Sequence, residues 1–133
     1  MHRFDVTVHY EDTDLSGFVY HANYLKFIER ARSDWVRALG VDQTALRAAG
    51  HVFVVTRIDA RFLAPAALDN SLTIHTKPLS ATPARLTLHQ AVHRADTPLF
   101  EAQVTLACMT LRGRPTRLPA EIRRAAQTPE NPA

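Results

Sequence analysis

The sequence predicts an α+β domain in which one long helix packs on a five-stranded antiparallel sheet. Three observations predict it. Residues from Phe4 to Tyr10 alternate between apolar and polar. From Tyr24 the spacing switches to the helical i, i+3, i+4 pattern. After Gly50 the chain returns to alternation, in four segments parted by short turn-rich stretches. One helix and one curved sheet make two layers about a single core. At 133 residues the chain is long enough for one such core and too short for two.

The first strand places Phe4, Val6 and Val8 on one face, with Asp5, Thr7 and His9 on the other. The long helix, expected over about 22–39, carries Tyr24, Phe27, Ile28, Ala31, Trp35, Ala38 and Leu39 as its apolar stripe. Gly40 ends it in the manner of a C-terminal cap glycine. Asp42 or Thr44 caps a short second helix that closes at Gly50. Strands are then expected over Val52 to Phe62, Leu72 to Lys77, Arg85 to His93 and Phe100 to Cys108. Asp69-Asn70, Ser80 to Pro83 and Asp96 to Pro98 supply the turns. The domain is expected over 1–120, with 121–133 a short tail: a helical turn and then a frayed end.

Bulk properties narrow the function classes. Apolar residues at 46% and charged residues at 22% describe a globular chain, not a disordered one. A net charge of +3 is mildly basic and suits a polyanionic small molecule about as well as nucleic acid, and equally a surface that serves solubility alone. The arginines are dispersed and not interleaved with aromatics, so no nucleic-acid partner is expected. Cys108 is the single cysteine, which excludes an intrachain disulfide. The N-terminus lacks a signal-peptide pattern, and no window approaches the ~20 apolar residues of a membrane span. The expected compartment is the cytoplasm.

Residues 10–24 read Tyr-Glu-Asp-Thr-Asp-Leu-Ser-Gly-Phe-Val-Tyr-His-Ala-Asn-Tyr and concentrate the chemistry. Asp12 and Asp14 follow the end of a strand, Gly17 lets the backbone turn, and a helix begins near His21 to Asn23. A helix start offers unpaired N–H donors and partial positive charge. Such donors can polarise a carbonyl while a nearby carboxylate attacks it or activates a water. Read alone, Asp14 is a loop aspartate that caps the following helix or fixes the turn.

This Asp-x-Asp-x-x-Gly-x-Val-Tyr-His-Ala-x-Tyr stretch closely resembles the signature loop of hot-dog-fold acyl-CoA thioesterases of the 4-hydroxybenzoyl-CoA and Tol–Pal-associated type. A looser resemblance extends to about residue 120. It implies the hot-dog fold, in which the sheet wraps the helix, and hydrolysis of an acyl-CoA to a free acid and CoA. Asp14 stands at the family's catalytic carboxylate, as nucleophile or general base. The main-chain N–H of His21 or a neighbour stands where the family holds the thioester oxygen. Gly17 and Tyr20 belong with them at the site, and Asp12 and Glu11 are expected to hold the loop. The resemblance further implies a homodimer or homotetramer, in which Val54 to Ile58 of a neighbouring subunit, Val55 and Thr56 among them, wall the acyl site. No cofactor is implied.

Arg57, Arg61, Arg85, Arg112, Arg114 and Arg117 supply capacity for CoA phosphates, with Arg85 favoured by its place after the third-to-fourth-strand turn. Two departures from the family pattern bear on this. Ser80-Ala-Thr-Pro-Ala-Arg85 lacks a close Arg/Lys-Ser pair, and Leu15-Ser16 replaces a small Ala/Gly pair beside Asp14. His89 and His93 have zinc-helix spacing, but Gln90 replaces the glutamate and the segment alternates as a strand. Rings four residues apart on a strand lie ~13 Å apart, so no metal is expected. Cys108 falls on an apolar strand face and reads as a packed thiol. The alternatives are a non-catalytic acyl-CoA-binding or interaction module of the same fold, and a hydroxyacyl-thioester dehydratase.

Overall fold

The computed structural model describes residues 1–127. The sheet is five-stranded and antiparallel throughout, in the order β1-β3-β4-β5-β2. Its strands are β1 (His2–Thr7), β2 (His51–Phe62), β3 (Ser71–Ala81), β4 (Arg85–Arg94) and β5 (Thr97–Thr110). The long helix α1 spans Asn23–Ala38, α2 spans Gln43–Ala48 and α3 spans Ala120–Gln127. The expected α+β architecture is therefore the observed one.

Helix α1 lies on one face of the sheet and buries Tyr24, Phe27, Ile28, Ala31, Trp35 and Val36. Phe27 and Ile28 are fully buried, each contributing roughly 2–3 kcal/mol of apolar burial. The stripe differs from expectation at its end, where Ala38 is exposed and Val36 is buried. Val36 turns toward Phe53 and Ile122, which Ala38 does not reach. The helix stops at Gly40, whose φ of +89° is left-handed. Its N–H bonds to the Arg37 carbonyl at 2.9 Å and that of Val41 to the Val36 carbonyl at 3.3 Å, as a Schellman cap requires. Asp42 caps α2 by accepting from the Thr44 and Ala45 N–H groups.

Several boundaries move. Strand β1 starts and ends earlier than expected, because Tyr10–Asp12 forms a 3₁₀ turn that leads into the loop carrying Asp14. Strand β3 runs four residues past Lys77 to Ala81, through Pro78, and the register shifts between Pro78 and Ser80. A bulge tolerates the missing proline N–H, so the strand survives it. After Leu118 comes an eight-residue helix in place of a single turn. Its Ile122 is fully buried in the core, which ties α3 to the domain. The expected frayed end, 128–133, lies outside the described residues.

The edge strand β2 is the feature that matters most for the site. It pairs only with β5, so the backbone along its other side is open. Val54, Val55 and Phe62 are 39%, 38% and 56% exposed there. A long open edge of this kind is a template for pairing with another strand.

Candidate active site

The loop between β1 and α1 is built by local hydrogen bonds and latched from outside. Asp12 is buried and accepts the His9 N–H on its carboxylate at 2.8 Å. Its own carbonyl accepts from the Tyr20 N–H at 2.9 Å and from the Asn23 amide at 2.9 Å. Asp12 thus closes the loop onto the start of α1. Glu11 is exposed beside it. Gly17 adopts φ +85°, which a residue with a Cβ reaches only under strain. That conformation makes the turn in which the Gly17 N–H bonds back to the Asp14 carbonyl at 3.0 Å.

A second loop, 63–70, holds the first. The Val19 N–H donates to the Ala66 carbonyl at 2.8 Å, and the Ala66 N–H donates to the Tyr24 hydroxyl at 3.1 Å. Arg94 bonds to the Pro65 carbonyl and the Asn70 side chain, fixing that loop in turn. Tyr24 stacks on Phe100 at 5.0 Å and is buried, a packing residue as its place in the stripe implied.

Asp14 stands exposed at the tip of this framework. One carboxylate oxygen accepts the Ser16 N–H at 2.8 Å and the Ser16 hydroxyl. The Ser16 hydroxyl and then its N–H hold the carboxyl below the usual aspartate range, with a smaller contribution from nearby His21. Ser16, which departs from the small residue common in the resembling family, therefore favours the carboxylate form of Asp14 further.

His21 precedes α1, and Ala22 at the N-cap is helical and supplies no side-chain cap. Among the described residues, no hydrogen bond occupies the main-chain N–H of His21 or Ala22. The helix start thus presents free donors at the end of the loop that carries Asp14, whose carboxylate is stabilised in part by nearby His21. The His21 ring packs against Tyr20 at 4.5 Å and meets the edge of Phe62 at 6.3 Å. His21, Tyr24, Phe62 and Leu63 line a cavity of about 280 Å³. A larger one, about 380 Å³, sits at the opposite end of α1 between Ser33 and Thr44, away from these groups.

Asp14, Gly17, Tyr20 and His21 come together in one chain. Val55 and Thr56 do not join them, since β2 meets His21 through Phe62, ~20 Å along the strand from Val55. Arg85 opens β4, exposed, and lies with Arg112, Arg114 and Arg117 around the end of β5. Those four have no ion pair among the described residues, whereas Arg57 pairs with Asp59 at 3.0 Å and Arg61 with Glu101 at 3.6 Å. His89 and His93 are on strand β4, and Cys108 is buried, with its thiol pushed up by burial. Sequence reasoning passed over Arg32, Thr76 and the buried role of Gln90. Only the in-phase position of Gln90 among Leu86, Leu88 and Val92 signalled it.

Comparison with known proteins agrees with this picture. The profile of the thioesterase-like superfamily matches residues 8–126. The acyl-CoA thioester hydrolase YbgC of Escherichia coli O6:H1 is 40% identical, over 90% of this chain and 91% of that protein. The acyl-CoA thioesterase YbgC of Haemophilus influenzae is 37% identical, over 92% and 91%. Among solved structures, a probable thioesterase from Bartonella henselae superposes with a TM-score of 0.85 at 40% identity, covering 89% of this chain and 98% of that one. The chain belongs to the thioesterase-like superfamily of hot-dog-fold proteins.

Proposed function

We propose that this chain is an acyl-CoA thioesterase in which Asp14 attacks the thioester while the N–H groups of His21 and Ala22 hold its oxygen. The observation that carries the reading is that one short loop carries both an exposed carboxylate, Asp14, and the unoccupied N–H donors of an uncapped helix start. The names borne by the Escherichia coli and Haemophilus influenzae relatives support the substrate class. Attack forms a bond from an Asp14 oxygen to the acyl carbon and breaks the carbon–sulfur bond. CoA leaves as the thiolate and takes a proton from solvent. Water then cleaves the mixed anhydride to the free acid and restores Asp14. The oxyanion donors are worth ~3 kcal/mol of transition-state stabilisation in sites of this kind.

The open edge of β2 supports a homodimer, extended in a homotetramer, in which the second copy's Val55 and Thr56 approach the catalytic loop. Arg85 and the unpaired arginines beside it are the groups we assign to the CoA phosphates. The cytoplasm is the compartment where such a substrate occurs. Among the described residues no helix is long and apolar enough to cross a membrane. The test is release of free thiol from a panel of acyl-CoAds such as aliphatic and aromatic thioesters. Turnover is expected for at least one class. Tight binding without release across the whole panel would instead establish an acyl-CoA-binding module.

A further inference from the structure

Beneath α1 lies a buried polar chain that the catalytic reading does not use. Gln90 of β4 and Thr76 of β3 are fully buried. The Gln90 amide nitrogen donates to the Ile28 carbonyl at 2.8 Å and to the Thr76 hydroxyl oxygen at 3.0 Å. A carbonyl only accepts, so the orientation of the amide is fixed and its oxygen must face the other way. There it accepts from Arg32 Nη1 at 3.0 Å. A guanidinium carries five N–H donors. Arg32 makes no other hydrogen bond and no ion pair among the described residues.

The cation is half-buried at the wall of a cavity of about 250 Å³. Val36, Phe53, Val55, Leu86 and Ile122 make the rest of that wall mostly apolar. Glu29 stands at the cavity too, but it is exposed and takes the Ser33 hydroxyl at 3.3 Å. Burial pushes the Arg32 pKa down, and the charge of Glu29 offsets only part of that. A half-buried guanidinium, held by one hydrogen bond at the wall of a mostly apolar cavity that also carries Ser33 and Gln43, fits an apolar chain that ends in a carboxylate.

Strand β2 contributes Phe53 and Val55 to the cavity near one end and Phe62 to the His21 contact at the other. Two identical strands that pair antiparallel about a two-fold axis meet with their residue numbers running in opposite directions. A pair centred on β2 sets Phe53 opposite Ala60 of the second copy, two residues from the Phe62 that touches His21. The cavity of one subunit then opens beside the catalytic loop of the other. We propose that it is the far end of the acyl site, where Arg32 receives a terminal carboxylate, so that ω-carboxyacyl thioesters are preferred substrates. This rests on the thioesterase reading and on β2 pairing.

The experiment measures CoA release from paired substrates, methyl-ended and carboxyl-ended at each chain length from succinyl to sebacyl. Wild type is compared with Arg32→Met and Arg32→Lys, each checked for folding by thermal melting. At the best length, wild-type kcat/KM should favour the carboxyl-ended member by ~10-fold or more. Arg32→Met should erase that preference, lowering the carboxyl-ended rate far more than the methyl-ended one. Arg32→Lys should keep part of the preference, having the charge without the fork. No preference in wild type, or equal loss on both members of each pair, would overturn the proposal and leave Arg32 as a tie between helix and sheet. Calorimetric binding of free dicarboxylates to wild type and Arg32→Met reads the cavity without turnover. Arg32-dependent binding with no hydrolysis of any thioester would uphold the anion site and reject the thioesterase reading. Absence of such binding, with hydrolysis intact, would reject the anion site alone.

Discussion

Ser16 favours the carboxylate form of Asp14, and this makes a pH prediction with a definite sign. Its two hydrogen bonds favour the carboxylate, so the Asp14 pKa lies below the usual ~3.9. Activity that needs ionised Asp14 should persist as pH falls and drop only below the ordinary aspartate range. Ser16→Ala removes the hydroxyl and keeps the N–H, so the acid limb of kcat/KM should move to higher pH. A pH–rate profile unchanged by Ser16→Ala would show that Asp14 does not govern that limb. Asp12 has the other role. Asp12→Asn keeps an acceptor for the His9 N–H and loses the charge, so it should cost about 1 kcal/mol of stability in urea unfolding with a milder effect on rate. Both aspartates were legible in the sequence because their partners lie within a few residues. Arg32 was not, because its partner Gln90 is 58 residues away and no local pattern joins them.

Each element followed from its own periodicity, and the departures have physical causes. Helix α1 and its glycine stop were legible, since the stripe and the cap are both local. The end of β3 was not, because Pro78 reads as a breaker until the register shift absorbs it. Helix α3 was short and polar enough to read as a tail, and only tertiary packing of Ile122 reveals its place. The seam between α1 and the sheet gives a stability prediction. Gln90→Leu leaves the Arg32 guanidinium without its partner and removes donors from Ile28 and Thr76. It should destabilise the fold by roughly 2–3 kcal/mol in denaturant titration. A neutral outcome would mean that water replaces Gln90 under α1.

At the scale of the molecule, β2 offers an unpaired edge, and the proposed acyl site draws on a second copy across it. Static light scattering should find a dimer or tetramer at micromolar concentration; a fully active monomer would reject the shared site. The unpaired arginines around the end of β5 predict that CoA esters bind more tightly than the same acyl group on a short thiol. That gap should narrow with salt, since exposed charges are screened over ~10 Å at 0.1 M. Salt-independent, equal turnover of both esters would remove the phosphate contacts. The central claim, that Asp14 performs the chemistry, is tested most directly by Asp14→Asn in a CoA-release assay. The substitution keeps size and removes charge, and Asp14 is exposed, so the fold should survive. The account predicts a fall in kcat of roughly 10²-fold or more with a smaller change in KM. Hydrolysis by a folded Asp14→Asn protein at the wild-type rate would contradict it.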